Sequence, residues 1–149
     1  MSRDLPPGWT LTGPRENLTI HTGGRFEAVG ACSRLRRVGP FVFIAGTTAL
    51  EPSGRLHAPD DAYAQSLYIL RRFERLLEEA GAELRHTVRT RAFFTKISED
   101  AAGFARAHGE VFRGIDPVTT GCEAGLTQPG MRVEIELDAV IHDAEGRVG

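Results

Sequence analysis

Residues 131–141 read MRVEIELDAVI, the strictest alternation in the chain. Met131, Val133, Ile135, Leu137, Ala139 and Ile141 fall on one side of an extended backbone, and Arg132, Glu134, Glu136 and Asp138 on the other. A period of two marks a β-strand with one face in the core. The opposite face stacks three acids, and two accounts of it stand. It is a solvated sheet face with cross-strand partners such as Arg89 and Arg91, or a subunit interface in which a carboxylate is held to orient water.

Working back from that strand, Thr127–Gly130 reads as a turn and Val118–Ala124 as another strand. A helix is predicted to begin near Ser98, with Glu99 and Asp100 in its first turn, and to end at Gly114 and Pro117. Its inner stripe is Ala101, Phe104, Ala105, His108, Val111 and Phe112. Val88–Thr95 is a strand without clean alternation. Before it lies the clearest helix, capped by Asp60 or Asp61 and stopped by Gly81. Its apolar positions are Ala64, Leu67, Tyr68, Leu70, Phe73, Leu76, Leu77 and Ala80. Residues 46–59 form a loop. Phe41–Ala45, FVFIA, is a short apolar run that predicts a strand covered on both faces. Leu35–Val38 and Asn17–Thr22 predict two more strands, separated by a turn at Gly23 and Gly24, and residues 1–15 an extended N-terminal arm. The order is β-β-β-α-β-α-β-β. It describes an α+β domain with two helices covering one face of a mixed sheet.

Composition sets outer bounds. With 149 residues and 41% apolar content, the chain fits one domain spanning 1–149. A net charge of −2 offers no bulk attraction to nucleic acid or anionic lipid. Lys96 is the one lysine among 18 basic residues, a skew that accompanies G+C-rich genomes, so no single arginine is read as a signal. No stretch approaches the roughly 20 apolar residues of a membrane span. The first ten residues lack an apolar signal core. Cys32 and Cys122 form neither a disulfide framework nor a metal-like spacing, and a cytoplasmic, reduced protein is expected. The glycine pairs match no phosphate-loop spacing.

Five segments then act together. VGPFVFIAGTTAL (38–50), DAYAQ (61–65), LEEAGAELRHTVRTRAFFTKIS (77–98), RAHGEVF (106–112) and VEIELDAVI (133–141) resemble successive blocks of the Rid (YjgF, L-PSP) family, in its order and over residues 26–142. The resemblance implies a chorismate-mutase-like fold and a homotrimer with small-molecule clefts between neighbouring subunits. It also implies hydrolysis of reactive enamines and imines, such as 2-aminoacrylate, to ketoacids and ammonia without a metal or organic cofactor.

Carried over position by position, the resemblance is incomplete. The family's Pro-x-Arg-Ser stretch, whose arginine grips the substrate carboxylate, matches Pro117-Val118-Thr119-Thr120. Thr119 cannot replace a guanidinium fork. That departure places the chain in a subgroup lacking the deaminase arginine, in which 2-aminoacrylate handled in the usual way is not the expected substrate and a larger or uncharged imine is an alternative. The glutamate that positions the attacking water matches Glu134, and a second glutamate matches Glu123. The cleft tyrosine matches Cys32, the serine before glycine matches Ala45 ahead of Gly46, and an asparagine of the second helix matches Arg106.

Several residues keep two readings. Arg106 either supplies the missing cation from another wall or is a surface residue. His108 is either a satisfied core histidine or an acid–base group opening on the cleft. Cys122 is read as a small strand residue, and Cys32 is the better candidate for a functional thiol. Two function classes also stay open. One is an enzyme in which Glu134 orients a water against a C=N carbon, with Thr119, Thr120 or backbone amides steadying the charge. The other is a non-catalytic trimer acting as a sensor, scavenger or chaperone. The ribonuclease activity attached to the L-PSP name is disfavoured by the acidic balance and the lack of a basic, aromatic patch.

Overall fold

A computed structural model describes residues 4–149, so the first three residues of the expected arm lie outside the described residues. In chain order the elements are β1 (Thr10–Thr12), β2 (Asn17–His21), α1 (Arg25–Gly30), β3 (Leu35–Val38), β4 (Phe41–Thr47), α2 (Ala62–Glu79), a 3-10 turn (Leu84–His86), β5 (Thr87–Phe94), α3 (Ile97–Phe112), β6 (Val118–Glu123) and β7 (Val133–Val140). The strands form one mixed sheet in the order β1-β2-β3-β4-β7-β5-β6. Only β5 and β6 run parallel, and α3 makes the crossover between them. The expected α+β architecture is present, with α2 and α3 on one face and the short α1 as a third helix.

β7 keeps the alternation of its sequence. Val133, Ile135, Leu137 and Ala139 are buried under the helices, and the residues between them face the other way. The core adds Leu18, Ile20, Leu35, Val42, Ile44, Phe73 and Phe112. Among the described residues no helix is long and apolar enough to cross a membrane.

α2 begins where Asp61 accepts a hydrogen bond from the Ala64 amide at 2.9 Å. It ends at Gly81, whose φ of +79° suits glycine. The buried Arg37 donates to the last-turn carbonyl of Ala80 at 2.7 Å. The expected stripe is rotated at its start: Gln65, Ser66 and Ile69 are buried, while Leu67 and Tyr68 are half-buried. Gln65 is polar for a reason. Its amide donates to Ala58 O and Gly130 O and accepts from the Arg132 amide, each at 2.9 Å. It thereby ties the loop before α2 to the entry of β7.

In α3, Ala107 is buried and Ala105 exposed, contrary to the expected stripe. Gly103 lets the two helices close up, since a Cβ there would meet the Tyr63 amide nitrogen at 2.9 Å.

Two strands correct the expectations. FVFIA is not covered on both faces of this subunit. Val42 and Ile44 are buried, but Phe41 and Phe43 remain 48% and 49% exposed. β5 starts one residue early and slips register between Thr87 and Arg89, which explains its imperfect alternation. Three elements escaped sequence reading: β1 within the arm, the six-residue α1 and the 3-10 turn at Leu84–His86.

Candidate functional site

The sheet face away from the helices holds the first set of candidate residues. β4 and β7 pair regularly from Phe41 to Ile44, then slip so that Thr47 pairs with Ile135. Three β4 steps match two β7 steps, and the extra residue makes a bulge at Ala45 and Gly46. The bulge presses Gly46 against the next acid of β7. A Cβ on Gly46 would sit 3.0 Å from Cδ of Glu134 and 3.1 Å from its Oε1. Glycine is what permits this contact.

The three acids of β7 are not equivalent. Arg91 of β5 donates to Glu136 at 2.9 Å and to Asp138 at 3.3 Å. Arg89 stands opposite Asp138 in register but does not make that pair. The cross-strand account thus holds for two acids, through Arg91 alone. Glu134 stands opposite Phe93, with no hydrogen bond to its carboxylate among the described residues. Burial pushes the Glu134 carboxyl above its ordinary range; Arg34 works against this and Glu136 adds to it.

Arg34 went unread in the sequence. It precedes β3, with its backbone held between strands: its amide donates to Ile20 O and its carbonyl accepts from the Ala45 amide, both at 2.9 Å. Its Nη1 donates to Gly46 O at 2.6 Å and to Thr47 Oγ1 at 3.1 Å. Its Nη2 lies 4.0 Å from Glu27. Glu27 is already occupied, by the Thr22 amide and hydroxyl at 2.9 and 3.0 Å and the Gly24 amide at 2.8 Å. Burial pushes the Glu27 carboxyl up, but these donors and Arg34 outweigh it, leaving it below its ordinary value. Cys32 is exposed just after α1, its thiol directed to Phe26 O at 3.5 Å.

The second set lies at the edge strand β6. Thr119 pairs in register with Thr90, on the helix-covered side. Their hydroxyls are 2.7 Å apart, and His108 Nε2 is 2.8 Å from Thr90 Oγ1. A buried relay therefore runs from His108 through Thr90 to the exposed Thr119. Burial lowers the proton affinity of His108, whose ring packs between Phe104 and Phe112. Thr120 points the other way, paired with Arg91, and Cys122 is paired with Phe93. Glu123 accepts from the Ile97 amide at 3.0 Å, supplying the first turn of α3 with an acceptor.

Arg106 belongs to neither set. Its guanidinium sits 3.6 Å over the Tyr63 ring and 4.0 Å from Glu110, which also accepts from the Tyr63 hydroxyl. Its side chain is 66% exposed on the outside of the helices. Among the described residues no three of His, Cys, Asp and Glu converge as a metal site.

The structure thus brings Ala45, Gly46 and Glu134 together, leaves Cys32 against α1, and sets Thr119 and Glu123 on the opposite face. What carries position here, the bulge and the faces taken by β5 and β6, is tertiary. Only the closeness of Arg34 to Cys32 in the chain hinted at the residue that was missed.

Comparison with known proteins bears on the family and the fold. A family model described as Endoribonuclease L-PSP matches residues 22–141. A Mycobacterium tuberculosis crystal structure, named as a member of the highly conserved YjgF/YER057c/UK114 family, is similar at 40% identity, covering 83% of this chain and 98% of that one with a TM-score of 0.73. A putative endoribonuclease L-PSP from Entamoeba histolytica is 27% identical, covering 77% of this chain and 91% of that one, with a TM-score of 0.67. A RutC family protein of Pyrococcus abyssi is 25% identical over 113 residues, 76% of this chain and 88% of the relative.

Proposed function

The chain belongs to the endoribonuclease L-PSP family, the YjgF-type proteins, and on that premise we propose that it binds a small metabolite in clefts between the subunits of a cytoplasmic homotrimer and hydrolyses a reactive enamine or imine there. The observation that carries this reading is the division of the candidate residues. Glu134, Gly46 and Ala45 lie on the bare face of the sheet, while Thr119 lies at the edge on the helix side. One subunit cannot bring them to one ligand, whereas two neighbouring copies can. Phe41, Phe43, Val38 and Val118 expose apolar surface that such neighbours would cover.

In this mechanism Glu134 holds a water against the C=N carbon. It takes a proton as the water attacks and passes it to nitrogen, giving a carbinolamine. The hydroxyl proton then moves through the same carboxylate to nitrogen as the C–N bond breaks, so that ammonia leaves and a carbonyl compound remains. A carboxyl raised by burial is suited to both halves of that exchange. Thr119 of the adjacent copy offers a neutral hydrogen bond to the ligand, oriented by Thr90 and His108. Arg106, held by Tyr63 and Glu110, has no part in this mechanism. Nor is ribonuclease activity carried over, given a net charge of −2 and an acid-rich candidate face.

A second reading, a non-catalytic binding trimer, is favoured by one observation: Thr119 stands where the resemblance places an arginine. Freshly generated imino acids separate the two. We expect the protein to accelerate ammonia release and Glu134→Gln to lower the rate at least about a hundredfold. Undiminished turnover in that variant would sink the mechanism. Binding without turnover in the wild type would select the second reading.

A further inference from the structure

The cleft proposed above lacks a cation at Thr119, yet its Glu134 wall holds one that the resemblance does not assign. Arg34 lies beside Gly46, across from the Glu134 carboxylate, with its side chain 20% exposed. Only Nη1 is spent, on Gly46 O and Thr47 Oγ1. Among the described residues the opposite edge of the guanidinium, Nε and Nη2, has no acceptor within hydrogen-bond reach. That edge is the one that matches the two oxygens of a carboxylate.

Three features make this a built position. The backbone of Arg34 is bonded on both sides and its Nη1 is bonded twice, so the free edge has a fixed direction. Glu27 pairs with Nη2 only at 4.0 Å, its oxygens accepting from Thr22 and Gly24, so no hydrogen bond from it occupies the fork. Behind it stands Arg72, bonded to Leu50 O at 3.2 Å and near enough to Arg34 for their charges to repel. Two guanidiniums thus share this neighbourhood with Glu27, which attracts both.

The other arginines nearby are engaged. Arg36 is bonded to Leu18 O, Arg37 O and Asn17, Arg91 to Glu136 and Asp138, and Arg132 to Glu99 and Asp100. Arg89 lies at the register of Asp138, four residues along β5 from Phe93 and so about 13 Å away.

We infer that Arg34 is the ligand's anion grip: through Nε and Nη2 it binds a carboxylate on the same wall as Glu134, replacing from the residue before β3 what Thr119 cannot supply from β6. The inference rests on the cleft proposed above and gives its ligand a chemical class, a small carboxylate presented side-on to β3. The carboxylate lies at Arg34 and the reacting carbon toward Glu134.

The test uses pyruvate and its neutral analogue pyruvamide as probes, titrated against the intact protein by ligand-observed NMR, with no turnover required. Pyruvate should bind at least about tenfold more tightly than pyruvamide, as a charge-assisted fork requires. Arg34→Gln should bring pyruvate down to the pyruvamide level without changing pyruvamide, and Arg34→Lys should fall between. Equal affinity of the wild type for the two probes would overturn the inference, and this holds even where Arg34→Gln does not fold. A folded Arg34→Gln with full pyruvate affinity would also overturn it, as would a loss confined to Arg106→Ala. Pyruvate held through Arg34 without any imine hydrolysis would remove the deaminase reading and leave the grip standing. Glu134-dependent turnover with kcat/KM unchanged in Arg34→Gln would remove the grip alone.

Discussion

The two faces of the sheet are made from the same strands by opposite rules. Under α2 and α3, Val133, Ile135 and Leu137 meet Phe73, Leu76 and Leu77, and each is fully buried within the subunit. On the other face Phe41 and Phe43 stand about half exposed, Phe43 opposite Asp138, on a surface that also carries Arg91, Glu134 and Glu136. A face of the first kind is finished by its own chain. A face of the second kind combines apolar surface with placed charge, as surfaces that meet partners do. The difference teaches what each face is built for: the covered face supplies rigidity, and the bare face, bulged at Ala45 and Gly46, is where the proposed chemistry is placed.

Substitution can break or sharpen that contrast. The largest effect is expected on the covered face, where Phe73→Ala should cost about 3–5 kcal/mol. Denaturant unfolding at fixed protein concentration measures it, and a cost below about 1 kcal/mol would show that the helices do not close this core. Next comes Phe43→Glu on the bare face. It should leave the fold's circular dichroism intact while weakening self-association at least about tenfold, read as a fall in mass by light scattering. An unchanged assembly would remove the bare face from the interface.

The smallest effect is a pH-dependent one at Glu134. Burial raises its folded proton affinity above the unfolded value, so its contribution is favourable in acid and is lost as pH rises through the folded value. Glu134→Gln should therefore melt higher than the wild type at neutral pH, with the gap closing below the ordinary carboxylate range. A variant that melts lower at neutral pH would show that Glu134 is held by a bond inside the subunit.

The contrast also marks what sequence could tell. β7 was legible because one face is buried and a period of two follows directly. The helices were legible in extent, though the stripe of α2 was misplaced because Gln65 and Ser66 are polar yet buried. Glu134 could be named only through the family resemblance, which matches it to the water-positioning glutamate. Its isolation from Glu136 and Asp138 could not, since that depends on the reach of Arg91 across two strand positions. FVFIA misled for a related reason: a continuous apolar run predicts two covered faces and does not say whose chain covers the second. Arg34 was invisible for want of any pattern. It acquires a role from a bulge on β4 and a helix of six residues, and neither leaves a periodic trace.

The place of β7 in the sheet has a consequence for how the molecule comes into being. It is last of the strands in chain order, yet it lies between β4 and β5. Until residues 133–140 arrive, β1–β4 and β5–β6 are two separate ribbons with no hydrogen bonds between them. Closure requires β7 to pair with β4 across roughly ninety intervening residues, a long loop whose entropy is lost before the contacts repay it. A nascent chain stopped short of Val133 would hold most of the apolar residues but no continuous sheet. The same late strand carries Glu134, so the proposed carboxylate takes its place on the bare face only as the sheet is completed, before any neighbouring subunit can be met.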